Sequence, residues 1–130
     1  MKPHILFVDD EAALCELLSL YLRSKGFDVT AALTAREART LVEETSFDLA
    51  ILDLNLGPED GLELLGFIKG KCPQLPVVIF TGLDADEALI RSALAGRASG
   101  FVRKAQSLES LATEVRQHLA TPQKAVAQAA

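Results

Sequence analysis

Five short apolar runs, each separated from the next by a helix-period pattern, constrain this chain more than any other feature. They are Ile5-Leu6-Phe7-Val8, the alternating Phe27, Val29 and Ala31, the segment from Phe47 to Leu52, Val77-Val78-Ile79-Phe80, and Gly100-Phe101-Val102-Arg103. Runs this short and this apolar read as strands buried on both faces of a parallel sheet. The second differs, because Asp28 and Thr30 alternate with its apolar residues as they do in a half-exposed edge strand. Strands that alternate with helices through short connections put helices on both faces of the sheet, and right-handed crossovers leave few topologies.

The intervening patterns supply the helices. Leu14, Leu17, Leu18, Tyr21 and Leu22 recur at helical spacing and stop at Gly26. Thr34-Ala35-Arg36-Glu37 has the spacing of a capping box, and Ala38, Leu41 and Val42 give the second helix its apolar side. Leu62, Leu64, Leu65, Phe67 and Ile68 make a third, ending near Gly70, since Pro73 and Pro76 forbid its continuation. Asp84 and Glu87 again have capping spacing, opening a helix through Leu94 that ends at Gly96. Ser107 is placed to cap the last helix, whose buried stripe is Leu108, Leu111, Ala112, Val115 and Leu119. From Thr121 the pattern is lost, so residues 1–120 are expected to form one domain and 121–130, rich in Ala and Gln, a tail or linker.

The residues at the strand ends point to chemistry. The first strand runs into Asp9-Asp10-Glu11, the third into Asp53, the fourth into Thr81 and the fifth into Lys104. In an open α/β sheet, ligands sit outside the carboxyl ends of the strands where the strand order reverses. With the order 2-1-3-4-5 the first and third strands are neighbours at that point, and Asp9, Asp10 and Asp53 converge there. Two carboxylates about 4 Å apart repel by roughly 4 kcal/mol at an effective dielectric of ~20, so a cluster of them calls for a cation or protons. Oxygen ligands with no His or Cys nearby suit Mg²⁺ or Mn²⁺ rather than zinc. Each residue also has a plainer reading: Asp53 as a loop or helix cap, Thr81 as a strand-end cap, Lys104 as a solvated surface lysine.

Composition narrows the classes. At 130 residues, 49% hydrophobic and 24% charged, the chain suffices for one core without a second domain. Its apolar runs fall far short of the roughly 20 residues needed to cross a bilayer, and its start lacks a signal peptide's apolar stretch, so cytoplasmic residence is the default expectation. The net charge of −5 disfavours direct nucleic-acid binding. Cys15 and Cys72 have neither metal-type nor redox-type spacing and read as reduced thiols.

Taken together, an acidic pair after the first strand (Asp9, Asp10), an aspartate after the third (Asp53), a Thr after the fourth (Thr81) and a Lys after the fifth (Lys104) resemble the receiver domains of two-component response regulators, over about residues 4 to 119. The resemblance implies a flavodoxin-like (βα)5 doubly wound sheet. It implies that Asp53 is the phosphoacceptor for a phosphohistidine on a sensor histidine kinase or phosphotransfer protein. Mg²⁺ is then held by Asp10 and Asp53 directly, by Asp9 through water and by the backbone carbonyl of Asn55. Lys104 and Thr81 contact phosphoryl oxygens. Phe101 occupies the place of an aromatic that turns inward when the threonine shifts, altering the face of the fourth helix, fifth strand and fifth helix, with Arg91, Arg103 and Glu114, as an effector or homodimer surface. Such a domain is a switch that promotes only its own phosphorylation and dephosphorylation, not an enzyme of metabolism, and its effector is either fused or separate.

The chain departs from the family pattern at two places. Ala105 stands where receivers usually have Pro after the lysine with a cis bond between them; a non-proline cis bond costs about 2.5–4 kcal/mol, so a trans bond is expected. Gly57 takes the place of a frequent loop Pro, with Pro58 one residue later, while Gly61 is where the pattern requires it. Other classes fit less well. A haloacid-dehalogenase-type phosphatase wants a second Asp where this chain has Asn55, a phosphorylation-independent pseudo-receiver has usually lost an acid or the lysine, and the acids at 9–11 would repel a flavin phosphate.

Overall fold

The computed structural model describes residues 2–82 and 87–119; Asp84, expected to cap a helix, and the tail from Thr121 lie outside the described residues. Its elements run β1 (His4–Val8), α1 (Ala12–Ser24), β2 (Asp28–Ala32), α2 (Ala35–Glu44), β3 (Leu49–Leu52), β4 (Asn55–Leu56), β5 (Glu59–Asp60), α3 (Gly61–Lys71), β6 (Val77–Thr81), α4 (Glu87–Ala95), β7 (Gly100–Arg103) and α5 (Leu108–Leu119). Five strands form a parallel sheet in the order β2-β1-β3-β6-β7, while β4 and β5 form a separate antiparallel hairpin. Counting sheet strands alone, this is the order 2-1-3-4-5 expected of a flavodoxin-like fold. No helix among the described residues is long and apolar enough to cross a membrane.

Successive strand residues point to opposite faces, which divides the core in two. Leu6, Val8, Ala50, Leu52, Val77 and Ile79 pack with α2, α3 and α4, whereas Ile5, Phe7, Leu49, Ile51, Val78 and Phe80 pack with α1 and α5. That double covering explains why these runs are apolar throughout. It also corrects the expected alternation of β2: Phe27 and Val29 enter the α1 side, but Ala32 enters the other layer and Ala31, at the strand end, is exposed.

A similar correction applies to α1. Its buried stripe is Cys15, Leu18, Ser19 and Leu22, and Leu17, expected inside, is 53% exposed. Leucines occur on nearly every side of this helix, so the sheet it docks on, not its own periodicity, chose the buried face. The stop at Gly26 is as expected: with φ +99° it ends α1 through bonds from its own N–H to Arg23 O (3.0 Å) and from Phe27 N–H to Leu22 O (3.2 Å). The same double bond pattern ends α4, but there Arg97 takes the positive φ (+77°) and Gly96 lies one residue before it.

Caps set the other helix starts. Thr34 Oγ1 accepts from Glu37 N–H at 3.0 Å as expected, while Glu37 Oε1 reaches back to Leu33 N–H at 2.8 Å, one residue beyond the usual capping-box partner. Ser107 Oγ accepts from Ser110 N–H at 3.1 Å at the start of α5. Asp60 caps α3 through Leu62 N–H (2.8 Å), and that helix ends at Lys71, beside Gly70 as expected. Gly61 is obligatory, since a Cβ there would fall 2.5 Å from Leu54 O.

Candidate functional site

The sheet register builds the site. Val8 pairs with both Ala32 and Leu52, and Asp53 N–H donates to Val8 O at 3.0 Å, so Asp9 and Asp53 leave adjacent strands side by side. On the next two strands, β6 and β7, Thr81 pairs with Arg103, and Lys104 N–H donates to Thr81 O at 2.7 Å. Asp9, Asp53 and Thr81 are buried, Asp10 is exposed, and Lys104 lies between.

Both buried aspartates are oriented by the backbone two residues on. Asp9 Oδ1 accepts from Glu11 N–H and Asp53 Oδ1 from Asn55 N–H, each at 3.0 Å, which turns their second oxygens toward a common centre. Lys104 Nζ occupies that centre, 2.8 Å from Asp9 Oδ2, 3.0 Å from Asp53 Oδ2 and 3.2 Å from Glu11 Oε1. Among the described residues, Asp9 Oδ2 has no partner besides this ion pair with Lys104. Burial pushes the Asp53 carboxyl above its usual value, opposed by Asn55 N–H and Lys104 and reinforced by the charge of Asp9. For Lys104 burial works to lower the value, but its bonds to Asp9 and Asp53 prevail and raise it, so it stays charged.

Ligand oxygens of Asp9, Asp10 and Asp53 all lie within 4.8 Å of one another. An all-oxygen set of converging carboxylates fits a hard divalent cation, and four carboxylates (Asp9, Asp10, Glu11, Asp53) against one ammonium leave the site strongly negative. The hairpin closes over it: at its turn Gly57 takes φ +68°, with Pro58 following, and a Cβ on Gly57 would sit 3.5 Å from Asp10 Oδ2. Asn55 opens that hairpin. From its other arm, Glu59 Oε1 accepts from Ala35 N–H at 2.8 Å, in the first turn of α2.

The remaining expected residues are placed as follows. Thr81 is 1% exposed and its hydroxyl has no hydrogen-bond partner among the described residues. Phe101 points outward, 39% exposed with the Arg103 guanidinium 5.9 Å from its ring, and borders a groove of about 320 Å³ along α5 that Ser110 and Glu114 also line. There is no cis peptide among the described residues, so Lys104–Ala105 is trans, and the loop is tied by Gln106 Oε1 accepting from Arg103 N–H at 2.8 Å. Cys15 donates its thiol to Asp9 O at 3.3 Å beneath the site; burial, then the charge of Asp9, pushes that thiol up to about 11, and both cysteines are free.

A family model of the response regulator receiver domain matches residues 5–116. The chain belongs to this family. The receiver is 36% identical over 102 residues to the alginate biosynthesis transcriptional regulatory protein AlgB of Pseudomonas putida, covering 78% of this chain and 23% of that one. It is 33% identical over 113 residues to the regulatory protein VirG of Agrobacterium tumefaciens, covering 87% of this chain and 42% of that one. The receiver thus spans less than half the length of these curated relatives. Among solved structures, a CheY-like receiver domain protein from Methanospirillum hungatei aligns with TM-score 0.87 and 27% identity over 92% of this chain and 94% of that one. NtrX from Brucella abortus aligns with TM-score 0.91 and 29% identity over 100% of this chain and 30% of that one.

Glu11, a third acid with no role readable from the sequence, touches Lys104. The hairpin leaves no periodicity in the sequence because its strands are two residues long, and the Gly57-Pro58 pair is its one signal there.

Proposed function

We propose that Asp53 accepts a phosphoryl group from the phosphohistidine of a sensor histidine kinase or phosphotransfer protein, and that the acyl phosphate so formed switches the surface of α4, β7 and α5. A carboxylate oxygen of Asp53 attacks phosphorus, the O–P bond forms, the N–P bond breaks, and the imidazole departs with that electron pair. The observation that carries this reading is the buried, unpaired hydroxyl of Thr81 on β6, the strand beside the one that delivers Asp53. Native proteins rarely leave such a donor unused, and phosphoryl oxygens on Asp53 give it an acceptor. Lys104, already on Asp53 Oδ2, supplies a point charge for a second oxygen. Asp9, Asp10 and Asp53, with the backbone carbonyl of Asn55, are the groups that would hold Mg²⁺ or Mn²⁺, which when bound neutralises charge on the transferring group.

The switch follows from the same residues. When Thr81 moves to the phosphoryl group, Phe101 leaves its exposed place and turns inward, and the face carrying Arg91, Arg103 and Glu114 changes for an effector or a second copy. In this reading residues 1–120 act as the receiving unit in the cytoplasm, residues 121–130 are a tail or linker toward a fused or separate effector, and the domain neither turns over a metabolite nor touches nucleic acid itself.

Incubation with acetyl phosphate and Mg²⁺, followed by intact-protein mass spectrometry, tests the chemistry. One phosphoryl group per chain is expected, and none in Asp53→Asn or in EDTA. An adduct that persists in Asp53→Asn sinks the assignment. Amide chemical shifts with beryllofluoride and Mg²⁺ test transmission: residues 87 to 115 are expected to respond, and silence there rejects the switch.

A further inference from the structure

The outer side of α1 carries leucine where a surface helix carries polar residues. Its buried side is Cys15, Leu18, Ser19 and Leu22, and at about 100° per residue the side directly opposite is Ala13, Leu17, Leu20 and Ser24, all exposed. Leu17 is 53% and Leu20 61% exposed, more than any other large apolar side chain among the described residues. Single exposed leucines are ordinary, but two on one stripe facing away from the core form a patch. The charges beside that patch are unmatched within the helix. Glu16 and Arg23 stand on the same flank, seven residues and so about 10.5 Å apart along the axis, and neither has an opposite charge three or four residues away. One guanidinium nitrogen of Arg23 donates to Val29 O at 3.0 Å, yet both residues are exposed.

A helix that covers this face needs an apolar stripe with a cation beside Glu16 and an anion beside Arg23. Reversed in direction, α1 itself is such a helix. Leu17 of one copy then meets Leu20 of the other, Ala13 meets Ser24, and Glu16 comes beside Arg23, each contact occurring twice by two-fold symmetry. A parallel pairing gives no such match, because it sets the charged flank of each copy against the flank of Leu14 and Tyr21. We infer that α1 is a self-association surface, on which a second copy of this chain lays its own α1 antiparallel. This surface is separate from the face of α4, β7 and α5. Two single-helix faces bury less than the roughly 1,200 Å² of a standard interface, so the pair is weak and reversible.

Sedimentation velocity on the whole chain tests this. The weight-average mass is expected to rise toward two chains between about 10 µM and 1 mM, and Leu20→Ser to raise the dissociation constant about tenfold. Glu16→Arg and Arg23→Glu are each expected to weaken the pair about fivefold, and the two together to restore it. Leu20 and Glu16 are exposed, so their variants are expected to keep the wild-type urea midpoint, which separates lost association from lost folding. A chain that stays monomeric throughout overturns the inference. So does a dimer that Leu20→Ser leaves intact, or whose concentration-dependent amide shifts fall in residues 87–115 rather than 13–24, or a charge swap no better than either single change. A monomer in which Leu20→Ser instead slows phosphoryl transfer from a phosphohistidine protein assigns the face to that donor and equally overturns it.

Discussion

The backbone N–H of Lys104 donates to the carbonyl of Thr81 at 2.7 Å, so the two polar residues that finish β6 and β7 are registered to each other by one bond. Their side chains are treated differently: among the described residues the ammonium has three partners and the hydroxyl has none. The receiver therefore holds one of these groups satisfied and the other unpaired.

Burying an unpaired hydroxyl costs about 1–3 kcal/mol, so Thr81→Val is expected to stabilise the unphosphorylated receiver by about 1 kcal/mol, read from urea denaturation. The same variant is expected to lose the beryllofluoride response at Phe101. A clear loss of stability means the hydroxyl is paired in solution.

Asp53 gives a pH dependence with a definite sign. Burial raises its carboxyl above the ordinary 3.8, so the folded chain binds that proton more tightly than the unfolded one. The resulting stability is complete below the unfolded value and is lost as pH rises through the folded value. Asp53→Asn removes this loss. Its stability relative to wild type is expected to be least below 3.8 and to grow toward neutrality, in urea midpoints measured across that range.

Cation binding links to folding. Mg²⁺ at a hundred times its Kd is expected to stabilise the receiver by about 2.7 kcal/mol, with EDTA reversing it. Asp10→Ala is expected to abolish most of that gain yet to change the metal-free stability by only about 0.5 kcal/mol, because Asp10 is exposed. Thermal denaturation with and without Mg²⁺ separates the two effects.

Arg97 closes α4 with φ +77°, a conformation that disfavours a residue with a Cβ by roughly 1–2 kcal/mol. Its charge also helps burial depress the buried Lys69, whose Nζ donates to Leu75 O at 2.8 Å. Arg97→Gly is expected to raise stability by about 1 kcal/mol in urea, part of the gain being offset by the freedom glycine adds to the unfolded chain.

The fold was legible because a doubly covered parallel sheet needs strands that are apolar on both sides, and those runs stand out between Gly, Pro and capping residues. Each polar residue at a strand end was legible for a related reason: in a parallel sheet the carboxyl ends share one edge, so position in sequence becomes proximity in space. What stayed hidden depends on docking. Leu14, Leu17, Leu18 and Leu22 have equal claims on the core by type, and only the packed sheet chose Cys15 and Ser19 over Leu17. Glu11 lies 93 residues from Lys104, and no spacing rule joins an exposed acid to that lysine.

The carboxylate of Glu59 joins the hairpin after Asp53 to the first turn of α2, where the positive end of the helix favours it. Any ligand that lifts this hairpin away from Asp10 strips Ala35 of its acceptor and loosens a helix packed near the β2 rim, at the opposite edge of the sheet from Phe101. The loop that follows Asp53 is thus tethered by one bond to the α2 flank of the sheet, the side away from Phe101.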